Sequence, residues 1–380
     1  MKQTVIATLL LVFIATACGQ PGTSQPQQTP SVDPVEQLKQ DIGQILLVGF
    51  RGTSIDEHHH IVRDLQQYHV GSVILFEYDA PTGTRHRNIQ SPQQLRNLCA
   101  SLREYGGSDL LISVDQEGGN VMRLRARDGF PPALSAQASA RYGDDSVAHT
   151  ASVVARTLSQ AGINLDFAPC VDVNVNPACP VIGKLGRSFS SDPATVARCA
   201  SIWLDELNKQ HIIGCLKHFP GHGSATGDTH AGLVDVSDTW QQSELQPYRD
   251  LISQGHVDMV MVAHVVNRTL GDNLPASLSP LVVGKLLRDD LGFSGVVVTD
   301  DLAMGAITRQ YGFTQALCMA INAGCDLLCL SNNGGGYDPD LVPRAVEAIL
   351  KAVDQGHVSA ADIHASAERI RSLKNKYKQH

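Results

Sequence analysis

Short runs of apolar residues recur along the chain from residue 34 onward, each followed by a longer stretch whose apolar positions return every three or four residues. The runs are 46-LLVGF-50, 70-VGSVILF-76, 110-LLISV-114, 163-INLDFAP-169, 212-IIGCLK-217, 258-DMVMVAH-264, 295-GVVVTD-300 and 325-CDLLCLS-331. The stretches between them include 92-PQQLRNLCASLREYG-106, 193-PATVARCASIWLDELNKQ-210 and 279-SPLVVGKLLRDDLG-292, with Pro, Ser or Asp at their starts and Gly near their ends, as helices have. A run that is apolar throughout has no wet face, so it belongs to a sheet covered on both sides, the condition of parallel strands joined by helices. Eight such units predict an α/β fold of the (β/α)8 TIM-barrel type over residues 34–380 as a single catalytic domain. An open doubly wound sheet would carry a glycine-rich phosphate turn after an early strand, and neither GxGxxG nor GxxxxGK[ST] occurs there.

Ahead of residue 34 the pattern changes. Residues 1–18, MKQTVIATLLLVFIATAC, place one lysine before an apolar run from Val5 to Ile14 and small residues up to Cys18. That is the layout of a secretory signal, with a run too short for a comfortable membrane span. Ala15-Thr16-Ala17 before the cysteine resembles a bacterial lipobox, with Ala15 where leucine is commoner. It predicts a lipidated Cys18 as mature N-terminus and an exported chain whose membrane contact is that anchor. An ordinary cleaved signal is the other reading. Residues 19–33, GQPGTSQPQQTPSVD, lack the apolar groups that would offset backbone ordering and read as a disordered tether.

Composition narrows the partners. With 43% hydrophobic and 18% charged residues the chain is ordinarily globular, and a net charge of −8 without any Lys/Arg block gives no basic face for nucleic acid. The cysteines beyond Cys18 lack metal-type CxxC spacing, and several lie inside apolar runs, as small core residues do; no particular disulfide is expected. The run His58-His59-His60 reads as solvated rather than as a ligand set.

A barrel gathers its active site at the carboxyl ends of its strands. Reading past each run yields Asp115, Asp172, Lys217 with His218, His264, and Asp300 with Asp301. Any one could be a satisfied structural group; five strand ends delivering charge or imidazole to one face point to a site. The segment 217-KHFPGHGSATGDTH-230 adds histidines 218, 222 and 230 on a glycine-rich stretch with no apolar period. Asp228 and His230 are two apart, so in extended chain they project to one side, where the carboxylate can fix the imidazole tautomer and leave the other nitrogen for a substrate. A rigid carboxylate, Asp300, opposite a proton carrier on a mobile loop is the layout of a two-step displacement.

These residues also carry a resemblance. The stretches 114-VDQEGGNVMRL-124, 165-LDFAPCVDVNVNPACPVIG-183, 186-GRSFSSDP-193, 217-KHFPGHGSATGDTH-230, 275-PASLS-279 and 298-VTDDLAM-304 stand in the order of bacterial glycoside hydrolase family 3, in its β-N-acetylglucosaminidase (β-hexosaminidase) branch, and the likeness covers nearly all of 35–376. It implies retaining exo-hydrolysis of terminal β-linked GlcNAc from peptidoglycan- or chitin-derived saccharides, without a metal or other cofactor. Asp300 would be the nucleophile that forms a glycosyl-enzyme, with Asp228 and His230 as the acid/base dyad. Asp115, Arg123, Arg187, Lys217 and His218 match positions that hold the sugar. Asp301 is the rival of Asp300; adjacent strand residues face opposite ways, and Asp300 is chosen. Two departures stand out: Ser224-Ala225 where many relatives have Asp-Thr, and Asn120 where Arg is common. Three other readings stay open: a zinc hydrolase using His218, His222, His230 and Asp228, a β-glucosidase of the same fold, and a silent sugar-binding lipoprotein.

Overall fold

The computed structural model describes residues 33–378, so the leader expected over 1–18 and all but the last residue of the tether expected over 19–33 lie outside the described residues. Eight parallel strands form the central sheet: β1 Leu46–Gly49, β2 Ser72–Ile74, β3 Leu111–Val114, β4 Leu165–Asp166, β5 Ile213–Phe219, β6 Met259–Val262, β7 Val296–Thr299 and β8 Leu328–Leu330. Seven fall within the apolar runs, and β5 starts in its run 212–217 and continues two residues beyond it. Neighbours follow chain order from β1 to β7, β8 pairs with β1 (Leu46 opposite Leu328), and a parallel bridge from Val298 to Leu327 joins β7 to the approach of β8. The sheet is therefore a nearly closed barrel with helices between successive strands.

Every residue of the eight strands is buried, because one face meets the filled barrel interior and the other meets helices. Complete burial of each Leu, Ile or Val contributes roughly 1.5–3 kcal/mol, well above the tenths that separate helix or strand propensities, so the run pattern dictates the fold. Local signals set the helix ends. Ser91 accepts the amide of Gln94 ahead of Pro92–Gly106, and Asp192 accepts that of Thr195 ahead of Pro193–Asn208, each with proline in the first turn.

Three expectations change. The stretch 279–292, read as an α-helix, is π-helical over Leu281–Asp290; ten residues are too few for a spacing pattern to separate the two windings. The run 163–169 pairs as strand only over Leu165–Asp166, since Pro169 has no N–H to donate. Asn164 extends the pairing with its side chain, accepting from the Ile112 amide at 2.7 Å and donating to the Leu110 carbonyl at 3.0 Å. The histidine run is solvated only at His58: His59 caps the helix His60–Gln67 by accepting the Ile61 amide, and His60 lies between Asp64 and the Tyr337 hydroxyl. The eight described cysteines are unpaired, all buried except the half-buried Cys318.

Candidate active site

Because β5 runs on to Phe219, it carries Lys217 and His218 into the barrel mouth. Lys217 is 1% exposed, and such an ammonium requires compensation. It has two carboxylates, Asp115 Oδ1 at 2.8 Å and Glu117 Oε1 at 2.7 Å. Burial opposes its charge, but Asp115 and Glu117 outweigh this and hold its pKa above the ordinary value. The other Asp115 oxygen accepts from Arg123 at 3.0 Å. Arg187 grips Glu117 through two parallel bonds of 2.8 and 2.7 Å, the bidentate geometry that fixes both partners. Burial raises both carboxyls, yet the surrounding cations pull Asp115 well below the usual range and Glu117 down to about 2.

His218 joins this lattice. A guanidinium only donates, so the contact of Arg187 Nη2 with His218 Nε2 at 3.2 Å makes Nε2 the acceptor. Nδ1 then bears the proton and donates to Asp172 Oδ2 at 2.7 Å. Asp172 Oδ1 meanwhile receives the backbone amide of His222 at 2.7 Å. His222 is buried and held neutral, its pKa lowered to about 4 by burial.

The two adjacent aspartates after β7 separate cleanly. Asp301 accepts from the amides of Ala303 and Ser331 and from the Ser331 hydroxyl, so its carboxylate ties β7 to β8. Asp300 accepts only the Asp301 amide, at 2.8 Å on Oδ1, which leaves Oδ2 without a protein donor. Burial would raise its pKa, but the imidazoles of His264, His218 and His230 outweigh that and keep it below the ordinary value. His264 is locked beneath, donating from Nε2 to the Asp301 carbonyl at 2.9 Å and meeting Ser277 Oγ at 2.7 Å.

Opposite lies the loop. Asp228 Oδ1 receives both the backbone amide of His230 at 2.9 Å and its Nδ1 at 2.8 Å, so the ring presents Nε2 outward. The His230 side chain is 71% exposed, while residues 221–225 at the loop's root are buried. All eight residues expected at the site line one cavity of about 460 Å3 at the barrel mouth, together with Glu77, Tyr78, Asp301 and Asn333.

Residues 37–373 match the glycosyl hydrolase family 3 N terminal domain. The chain belongs to glycosyl hydrolase family 3. As a glycoside hydrolase it is 34% identical over 297 residues to a beta-hexosaminidase of Tolumonas auensis, spanning 77% of this chain and 84% of that protein. It is 37% identical over 291 residues to the beta-hexosaminidase of Neisseria meningitidis serogroup B, 73% of this chain and 74% of the relative. A family 3 beta-N-acetylglucosaminidase structure from Paenibacillus superposes with a TM-score of 0.79 and 35% identity over 90% of this chain; the chain spans 62% of that longer protein. The beta-N-acetylhexosaminidase of Beutenbergia cavernae aligns with a TM-score of 0.77 and 28% identity over 89% of this chain and 98% of its own.

In this family 3 enzyme, the sequence pattern does not single out three neighbours of the site, Glu117, Glu77 and Glu244, and gives a fourth, Asp172, without its partner. Glu117 is two residues from Asp115, the spacing that paired Asp228 with His230, and the same same-side rule would have found it. Glu77 directly follows the second apolar run and pairs with Arg125 at 3.2 Å; reading every strand end would have reached it. Asp172 was named as a strand end, but its bond to His218 spans 46 residues and no spacing reveals it. Glu244, described below, is remote in sequence from every motif. Asn120, one of the departures, donates to the Leu185 carbonyl at 3.0 Å and so anchors a neighbouring turn.

The four residues of the zinc alternative divide: His218 has both nitrogens engaged and His222 is buried, while Asp228 is bonded to the exposed His230. Among the described residues, Cys170, Asp172 and His218 bring three ligand atoms within 4.8 Å. These atoms already bond to one another, and burial pushes the Cys170 thiol far above its usual pKa, against the thiolate a metal needs.

Proposed function

We propose that this glycoside hydrolase is a retaining exo-β-N-acetylglucosaminidase acting on amino-sugar oligosaccharides, muropeptide or chitin fragments. The observation that carries the reading is the pairing of Asp300, an ionised carboxylate with one free oxygen on a rigid strand end, with the Asp228–His230 dyad on the same cavity. Asp300 Oδ2 attacks the anomeric carbon, forming a glycosyl ester, while protonated His230 gives its Nε2 proton to the departing oxygen. Water that loses a proton to His230 then attacks the anomeric carbon and restores the Asp300 carboxylate. Histidine thus replaces the second carboxyl of the usual retaining pair. The lattice of Asp115, Arg123, Arg187, Lys217 and His218 holds the sugar: Asp115 keeps lone pairs for hydroxyl donors, and the cations offer hydrogens to hydroxyl and acetamido oxygens. Export with a lipid anchor on Cys18 belongs to the same proposal, supported by the layout of residues 1–18; Cys18→Ala and membrane fractionation test it.

Nitrophenyl β-N-acetylglucosaminide and β-glucoside, each with and without chelator, test the activity: fast, chelator-insensitive turnover of the first alone is expected. Asp300→Ala abolishes turnover on all substrates. His230→Ala loses about 10²–10⁴-fold on poor leaving groups and far less on activated ones; equal loss on both overturns the assigned roles.

A further inference from the structure

The loop that carries the dyad has a buried root and an exposed arm, and one acidic residue outside the sugar-binding lattice holds the root. Glu244, fully buried, directs Oε2 to the amide of Gly223 and Oε1 to the amide of Gln241, both at 3.1 Å. Gly223 is in the root; Gln241 caps the turn that leads into the helix Gln246–Ser253. One carboxylate therefore bridges loop and scaffold. The approach is close enough to dictate residue choice at Gly221: a Cβ there would lie 2.6 Å from that of Glu244, and the backbone has φ +123°. Trp240 adds a second tie, its Nε1 donating to the Pro220 carbonyl at 3.1 Å. Beyond the root, Thr229 lies buried between Asp228 and His230, with its hydroxyl 3.4 Å from His222 Nε2.

We infer that Glu244 is a positioning residue: its carboxylate clamps the loop root to the scaffold and so sets how accurately His230 reaches the glycosidic oxygen. The inference rests on His230 being the proton carrier. Only the ionised carboxylate accepts both amides with both oxygens free of protons. The ionisable groups facing it are Asp172 across the loop and Tyr248 on the following helix, with Ser224 beside it; no cation is among them, and burial pushes its pKa up to about 7. The clamp is therefore complete above about pH 7 and loosens as pH falls through that value.

The test is a series of aryl β-N-acetylglucosaminides, from dinitrophenyl to phenyl, turned over by the wild type, Glu244→Gln, Gly221→Ala and His230→Ala. The amide of Glu244→Gln keeps the volume but leaves one of the two N–H groups facing a donor. Expected is a fall in kcat of about 10- to 100-fold for the phenyl substrate, within the range of a lost general acid, with about threefold or less for dinitrophenyl and KM unchanged. The inflection near pH 7 in the acid limb also disappears in Glu244→Gln. Gly221→Ala, which pushes on the same carboxylate, gives the same leaving-group signature. Wild-type leaving-group dependence in Glu244→Gln, or equal loss on both substrates, overturns the clamp. A His230→Ala profile without leaving-group dependence instead overturns the proton-carrier reading, so the two failures are distinct.

Discussion

Lys217 survives 1% exposed because two carboxylates reach it from a strand end about a hundred residues earlier. Asp115 and Lys217 were legible from the strand ends, Arg123 and Arg187 only through the family resemblance, and Glu117 through neither; which charge meets which was not legible, since pairings such as Arg187 with Glu117 are made by the closed barrel. The same barrel hides a carboxyl that strand-end reading never considered. Asp166 lies fully buried under this lattice, accepting the Gln116 amide at 2.9 Å on Oδ1 while Oδ2 has no partner. Burial pushes its pKa up to about 8. In the unfolded chain it ionises near 4, so between about pH 4 and 8 the unfolded state sheds a proton that the folded state keeps, and stability declines as pH rises. Asp166→Asn keeps the accepting oxygen and removes the ionisation. In urea titrations it is expected to match the wild type near pH 4 and to exceed it at pH 8 by on the order of a few kcal/mol.

At the scale of elements, the apolar runs located all eight strands because each is buried on both faces, which leaves no alternative period to confuse them. Boundaries were less legible where backbone chemistry intervenes, as at Pro169 and in the π-helical turn of Leu281–Asp290. The glycine-rich segment was read as mobile throughout, and the structure divides it. Residues 221–225 are buried and bonded, with Asn176 donating from its side chain to the Ala225 carbonyl and from its backbone amide to the Gly223 carbonyl, both at 3.0 Å, whereas residue 226 and His230 are exposed. The departures Ser224 and Ala225 fall in the fixed half, away from the dyad. Hydrogen–deuterium exchange measured by mass spectrometry is expected to show amides 221–225 protected and 226–232 exchanging orders of magnitude faster. Uniform fast exchange across the segment would remove the hinge.

Taken whole, the barrel explains why a single sugar end is attacked. Its interior is filled by side chains below the mouth, so the cavity of about 460 Å3 is blind at its floor and admits a chain terminus rather than a chain. The charged lattice and Asp300, the proposed nucleophile, belong to the rigid scaffold, whereas His230, the proposed proton carrier, stands on the solvent side. That arrangement follows from β5, whose last residues include Lys217 and His218 of the charged lattice and whose continuation becomes the loop.

The exposure of His230 has a chemical corollary. In the proposed mechanism, a base that stands in open water does not screen what it activates, so alcohols have the same access as water to the ester on Asp300. With methanol added, the enzyme is expected to release methyl glycoside of retained configuration alongside free sugar, in a ratio that rises with methanol, as chromatography of the products would show. Free sugar alone would mean that the arm closes over the ester far more tightly than its resting pose suggests.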